Sequence, residues 1–538
     1  MKTSLLAFCV ASSFAPALSS QGFPSVPVPP GNPITLEKTN LGQALFWDEQ
    51  LSTTSTIACG TCHIFSAGGS DPRTAQDPAS LAPGPDGILG TPDDVHGSPG
   101  VIRNLGNGTL EKDAIFDLRP QVTDRKTPSM INAAFVRELF WDGRASDDFD
   151  DPVTGDPILP FNAALESQAA DPPVSTVEMG HEAIAWADIE GRLGALQPLR
   201  LAQSVPTDLG NWIAGRNYSA LFEEAFGTPD VTAARVAMSI ATYERSLISD
   251  QSPFDAGALN AQEMRGRNVF FGPGRCFLCH SGPLFTDQGF HNIGLIFAPD
   301  DPGRFAVTGN LPDRGRFKTP SLRNVALRAP YFHTGAMPNL ADVVAFYNRG
   351  GDFGFNQDPA IQPLGLAPGQ RQDLIAFLGA LNDPRVANGL VPFDRPLLYS
   401  ESGVVPSPFG GGTPGTAGFT PLHVALEPAH INNPSLTVGM DGGLAGAPAL
   451  LLFDLVPDVA GFQAFGATFH LAFTPASGVL FQSALQGAGP GDGWTSVSIP
   501  VPNAIGLIGK QAFMQWIVLD QAASGVLSAT PGLALSVF

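Results

Sequence analysis

The chain has 538 residues, with 29 lysines and arginines against 50 aspartates and glutamates, for a net charge of −21. Such an acidic surface repels a phosphate backbone and excludes nucleic acid as a partner. The length suits several domains with buried cores.

Taken in order, residues 1–20 read as a signal peptide: Lys2, an apolar run from Leu5 to Val10, then Ala15-Pro16-Ala17. The run is too short for a transmembrane segment, and no later run is long enough. A periplasmic or secreted protein is therefore expected. Residues 21–35 form a Pro-rich arm. Leu41, Ala44 and Leu45 share one face of a helix leading to Cys59-Gly60-Thr61-Cys62-His63. Residues 78–110, with Asp86, Asp93 and Asp94, read as a loop insertion, either solvated turns or a calcium loop. An acidic, Pro-containing stretch over 149–180 ends in Val177-Glu178-Met179, and Val236, Ile240, Tyr243 and Leu247 make a helical core stripe. After a second pentad, Cys276-Phe277-Leu278-Cys279-His280, a helix runs from an Asn339 cap to Gly350-Gly351 and carries Leu340, Val343, Val344 and Tyr347 on one face. Leu374, Phe377, Leu378 and Leu381 mark a last helix. From about residue 400, glycine, proline and short alternating apolar stretches predict a separate β-sandwich-like module over 400–538. Its His423, His430 and His470 are scattered and read as non-ligands.

The two pentads carry the chemistry. Cysteines at this spacing can each form a thioether to one porphyrin, and the adjacent histidine reaches the iron from below. Four of the five cysteines belong to the pentads and Cys9 to the leader, which leaves none for a disulfide framework. Zinc on the four thiolates is the competing metal reading, but it gives no reason for a histidine directly after each pair.

A repeat underlies the pattern. Lys126-Thr127-Pro128-Ser129 precedes Asn132, Phe140, Trp141 and Gly143, and Lys318-Thr319-Pro320-Ser321 precedes Asn324, Phe332, His333 and Gly335. Each matched pair is 192 positions apart (318 − 126), and Trp141 takes the place of His333.

In this order, CGTCH at 59–63, KTPS at 126–129, FWDGR at 140–144, VEM at 177–179, CFLCHSGPLFTD at 276–287 and KTPSLRNVALRAPYFHTG at 318–335 resemble the bacterial di-haem cytochrome c peroxidase and MauG family over about residues 36–390. The resemblance implies a mainly α fold of two tandem cytochrome c-like domains, 36–250 bearing a peroxidatic haem and 251–395 bearing an electron-transfer haem. It implies two covalently bound c-type haems on Cys59, Cys62, His63 and on Cys276, Cys279, His280, with His63 and His280 as axial iron ligands. Glu178 matches the family's distal acid, against a bland reading as a surface carboxylate. Trp141 matches the conduit between the haems, against a core tryptophan.

Departures from the pattern shape the expected chemistry. Tyr347 stands where peroxidases of the family place an axial methionine and MauG a tyrosine; Met337 is the rival ligand and a core tyrosine the bland alternative. Residues 97–140 lack the histidine that closes the first haem in many relatives, and His96 lies too far upstream to match it, so an open site is expected. The resemblance also implies a calcium ion between the haems, held in part by the carbonyls of Arg328 and Pro330. Lys126 replaces its asparagine, and an ammonium there argues against the ion. His333 is read as structural, His291 as a hydrogen-bonding residue, and His181 has no assigned role. The function implied is reduction of hydrogen peroxide with electrons from a donor such as a small cytochrome c or cupredoxin. The alternatives are MauG-like oxidation of a protein side chain through a high-valent di-haem state, or a non-catalytic di-haem electron carrier.

Overall fold

A computed structural model describes residues 22–73, 78–523 and 525–538. The signal-peptide expectation lies outside the described residues. No helix among them is long and apolar enough to cross a membrane.

The expected first helix forms as α1, Leu36–Trp47, because Thr35 caps it by accepting from the Lys38 N–H. Its partner is α2, Ala233–Glu244, capped in the same way by Thr232. They cross at Gly42, where a Cβ would stand 1.9 Å from the Ser239 carbonyl oxygen. Only glycine allows that approach. The Trp47 indole N–H donates to the Tyr243 hydroxyl at 3.0 Å, and the stripe Val236, Ile240, Tyr243 and Leu247 is buried in one core with Leu41 and Leu45.

The second half repeats the device. Helix α3, Ala261–Phe271, starts on a capping box of Asn260 and Glu263 and crosses α5, Pro368–Gly379, at Gly266. A Cβ there would lie 1.8 Å from the Asp373 carbonyl oxygen. Between them in sequence, α4, Leu340–Arg349, is capped by Asn339 and ends on Gly350 in the left-handed region, the cap and stop read from the sequence. Phe270, Phe285, Phe377, Val344 and Leu374 form the core of this half.

The repeat is expressed at the junction of the halves. The Lys126 N–H donates to the His333 carbonyl at 2.8 Å, and the Lys318 N–H donates to the Trp141 carbonyl at 2.8 Å. Each KTPS segment thus bonds to the partner half's matched aromatic residue. Asn132 and Asn324 both take positive φ, and each donates its N–H to a leucine carbonyl, Leu247 and Leu381, at 3.1 Å.

Three expectations need correction. The chain as a whole is α and β rather than mainly α, because short strand pairs and single turns, not helices, fill much of 48–160. The 78–110 stretch is not a plain loop. It contains strand β1, Pro99–Ile102, which pairs antiparallel with β2, Pro120–Val122. Its Asp86, Asp93 and Asp94 carboxylates accept from loop N–H groups, as turn residues do.

The C-terminal module has the expected strands, but it is not separate. Strands β3, Leu436–Leu444, and β4, Pro490–Ile499, belong to one sheet. The other sheet is centred on Pro448–Asp454 and Gln511–Leu519. Val438 and Met440 meet Leu451, Trp516 and Val518 between the sheets, a sandwich core. The Glu49 carboxylate, in the first half, accepts the N–H groups of Tyr399 and Ser400 at 2.7 and 2.9 Å. The Tyr399 hydroxyl donates to Leu426 within the module at 3.0 Å.

Candidate active site

Each pentad is built around its histidine. Cys59–Cys62 forms one helical turn under the Trp47 ring, and Gly60 is required because a Cβ would lie 2.1 Å from that ring. His63 Nδ1 donates to the Gly69 carbonyl at 3.0 Å, and His280 Nδ1 donates to the Phe285 carbonyl at 3.0 Å. A carbonyl only accepts, so both rings carry their proton on Nδ1 and leave Nε2 with a free lone pair. Burial holds both imidazoles neutral, His280 down to about 4. Nitrogen ligands to iron need this state.

None of the four pentad cysteines is in a disulfide. Burial pushes Cys62 and Cys276 up to about 12 and Cys279 up to about 11. The four do not gather into one cluster among the described residues; of them, only Cys279 lies in a group that could hold a metal ion, with Asp287 and His291.

A cavity of about 270 Å³ runs from the second pentad to the junction of the halves; Cys276, Cys279, His280, Tyr347, Trp141 and His333 lie on its wall. Burial raises the Tyr347 hydroxyl, on α4, above its ordinary range, and the nearby Cys279 and Cys276 add to the rise. Met337 is not on this wall and is half-buried, its carbonyl accepting from Tyr331 at 2.7 Å. The cavity also exposes two buried cations. Lys126 Nζ donates to the Ser70 hydroxyl; burial and the Arg328 charge bring it down to about 7. Burial lowers Arg328 to about 10, and its Nε has no partner among the described residues. An orphaned guanidinium N–H lining a cavity fits an acidic ligand group. Paired thiols, a neutral imidazole and this cation fit a haem, which carries carboxylates.

Trp141 Nε1 donates to the Lys126 carbonyl at 2.7 Å, and its ring centroid lies 6.1 Å from that of His333. The matched residues of the repeat therefore face each other. His333 is stacked 3.6 Å from Phe317, and burial lowers it to about 3.

Glu178 sits in the turn after Ser175, whose hydroxyl accepts the Glu178 N–H at 3.3 Å. Burial raises its carboxyl to about 7; Arg144 opposes the rise, and Asp171 and Asp124 add to it. Its charge is felt at both Cys59 and Cys62. Position 59 and the turn carrying position 178 come near through tertiary folding alone, with Cys59 packing against the core that holds Met179.

Of the remaining histidines, His96 lies against the second half, its N–H donating to the Thr334 carbonyl at 2.9 Å. His291 is held between Asp358 at 2.6 Å and Asp287 at 2.9 Å. His181 bonds the Glu182 carbonyl at 2.6 Å. Sequence reasoning missed Arg73, which donates to Cys62 Sγ at 3.5 Å, to Asp71 and to the Pro99 carbonyl. It also missed the Arg328 guanidinium. Neither position carries a local signal.

A family profile for the di-haem cytochrome c peroxidases matches residues 36–263. The methylamine utilization protein MauG of Methylorubrum extorquens is 32% identical over 365 residues, covering 66% of this chain and 81% of that protein. The cytochrome c551 peroxidase of Pseudomonas aeruginosa is 31% identical over 380 residues, covering 67% of this chain and 84% of that protein. A solved structure of a MauG-like protein associated with microbial copper homeostasis aligns with TM-score 0.49 at 25% identity, covering 71% of this chain and 98% of that one. The chain belongs to the di-haem cytochrome c peroxidase and MauG family, and it is a haem peroxidase-type oxidoreductase.

Proposed function

We propose that this protein is an exported di-haem c-type peroxidase that reduces hydrogen peroxide to water with electrons from an external donor protein. The donor class is a small cytochrome c or cupredoxin. In this reading residues 36–250 and 251–395 are cytochrome c-like units, and 400–538 is an accessory module. The observation that carries it is Glu178, an enclosed carboxyl beside the first pentad held near neutrality.

A haem held at each pentad would supply an iron that exchanges single electrons, and the first would be the one to bind peroxide. The chain does the rest. Cys59, Cys62, Cys276 and Cys279 would hold the porphyrins, and the free Nε2 atoms of His63 and His280 would bind the irons. A carboxyl that titrates near 7 can take a proton from one peroxide oxygen and return it to the other, which lowers the cost of O–O cleavage. Trp141, at the junction, is the aromatic group through which electrons cross. Arg328 and Lys126 give the haem carboxylates buried positive partners. With Lys126 there, a calcium ion has no role in this reading.

Tyr347 favours a second reading. A tyrosine on the wall beside Cys276 and Cys279 would, as a ligand of the second haem, stabilise oxidised iron. That suits MauG-like oxidation of a protein side chain.

The test is low-temperature EPR of the ferric, haem-loaded protein, followed by peroxide with and without a reduced donor. The expected result is one high-spin and one low-spin signal, both changed by peroxide and restored by donor. Two low-spin signals indifferent to peroxide would leave a di-haem electron carrier and end the peroxidase reading.

A further inference from the structure

The β module has no part in the reading above, yet it grips the segment next to Glu178. Between β1 and β2, residues 103–118 lie on the sheet formed by β3 and β4. The Leu110 N–H donates to the Ser496 hydroxyl at 2.9 Å, and the Thr437 hydroxyl donates to the Gly108 carbonyl at 3.1 Å. Lys112 Nζ pairs with Asp492 at 2.8 Å and Asp441 at 3.2 Å, both on the module. Trp494 of β4 is buried with Ile102, Leu110 and Leu118 in one apolar cluster.

The same segment holds the turn that carries Glu178. The Val101 N–H donates to the Val177 carbonyl at 3.2 Å, and the Gln121 amide donates to the Thr176 carbonyl at 2.7 Å. The Glu182 N–H donates to the Asn104 carbonyl at 2.9 Å, and Arg103 pairs with the Glu182 carboxylate. At Gly100 the backbones touch: a Cβ would stand 2.1 Å from the Val177 carbonyl oxygen and 2.8 Å from Glu178 Cα. An unbroken chain of contacts therefore runs from Trp494 and Asp492 through Lys112, Leu110 and β1 to the Glu178 backbone. Packed contacts of this kind shift together.

We propose that the C-terminal β module positions the proton-transfer carboxyl of the first haem site, with Lys112 and Trp494 as positioning residues acting through strand Pro99–Ile102. This inference rests on the reading of Glu178 as the proton-transfer group. A misplacement of about 1 Å costs up to about a hundredfold in rate. The brace also keeps the carboxyl enclosed among Arg144, Asp171 and Asp124, the charged groups that act on it together with burial. Loosening it admits water and returns the carboxyl toward its ordinary range.

The experiment uses full-length, haem-loaded protein with Lys112→Met, Lys112→Arg, Glu178→Gln and the Lys112→Met/Glu178→Gln double variant. Steady-state kinetics in peroxide and in donor are measured across pH, with haem spectra as the control for assembly. Lys112→Met is expected to lower kcat/KM for peroxide about tenfold, to move its acidic limb to lower pH, and to leave the KM for donor unchanged. Lys112→Arg should restore most of the loss. In the Glu178→Gln background, Lys112→Met should have no further effect. If Lys112→Met does not assemble, Asp492→Asn weakens the same ion pair and should give a smaller loss with the same pH displacement. Wild-type peroxide kinetics and pH profile in assembled Lys112→Met, or an equal Lys112→Met loss with and without Glu178, would overturn the proposal. Wild-type activity in Glu178→Gln would overturn the proton-transfer reading itself and this inference with it, a pattern distinct from failure of the brace alone.

Discussion

Replacing Glu178 by glutamine should move activity and stability in opposite directions. The carboxyl is held at about 7 against an ordinary 4.5, chiefly by burial. Folding therefore favours the protonated form, and ionising the group costs stability. That cost is absent below about 4.5, grows as pH rises toward 7, and is complete above it. A rise of this size corresponds to about 3 kcal/mol as a ceiling, and the partial exposure of the residue reduces it to about 1–2 kcal/mol. Glutamine keeps the shape without the charge. At pH 8, Glu178→Gln should thus unfold at a temperature equal to or above the wild type. Its kcat/KM for peroxide should fall by about 10²–10⁴, the range for a lost general acid–base group. Stopped-flow peroxide reduction and thermal unfolding, run on the same haem-loaded preparations at pH 5 and pH 8, read both quantities. Activity within threefold of wild type would refute the assignment. A loss of activity accompanied by a large fall in unfolding temperature would show a structural role instead.

Two further outcomes follow from the second half and the junction. Tyr347→Phe should alter the low-spin EPR signal and raise the reduction potential of the second haem, because a phenolate stabilises oxidised iron, whereas Met337→Leu should leave both unchanged; the reverse pattern would make the sulfur the ligand. Treatment with a calcium chelator should leave turnover and both EPR signals as they were, since buried Lys126 and Arg328 already bring positive charge to the junction; inactivation restored by added calcium would refute that.

Much of the site was legible in the sequence because its chemistry is local. A c-type haem site needs two thiols and an imidazole at fixed short spacing, and both pentads state that directly. Helix starts such as Asn339 with Asp342, and stops such as Gly350, are likewise set by groups within one turn of each other. The repeat showed that Trp141 and His333 correspond, but not that they meet.

Tertiary structure decided the rest, because burial and charge depend on residues far apart in the chain. Nothing around Glu178 in the sequence indicates a carboxyl raised to about 7; that rise comes from burial, with Asp171 and Asp124 adding to it. Nothing near Arg328 announces a guanidinium whose Nε–H lacks a partner on a cavity wall. The β module read as separate because alternation reports which faces a strand buries, not what its outer face meets. Only the fold brings Asp441, Asp492 and Trp494 to Lys112 and Leu110. By itself, then, the sequence determined the two pentads, the helix caps and the internal repeat, all short-range choices of residue and spacing. The folded chain alone decided which carboxyl is enclosed, which guanidinium N–H lacks a partner and what braces the acid, since each is a property of surfaces that exist only once distant segments pack.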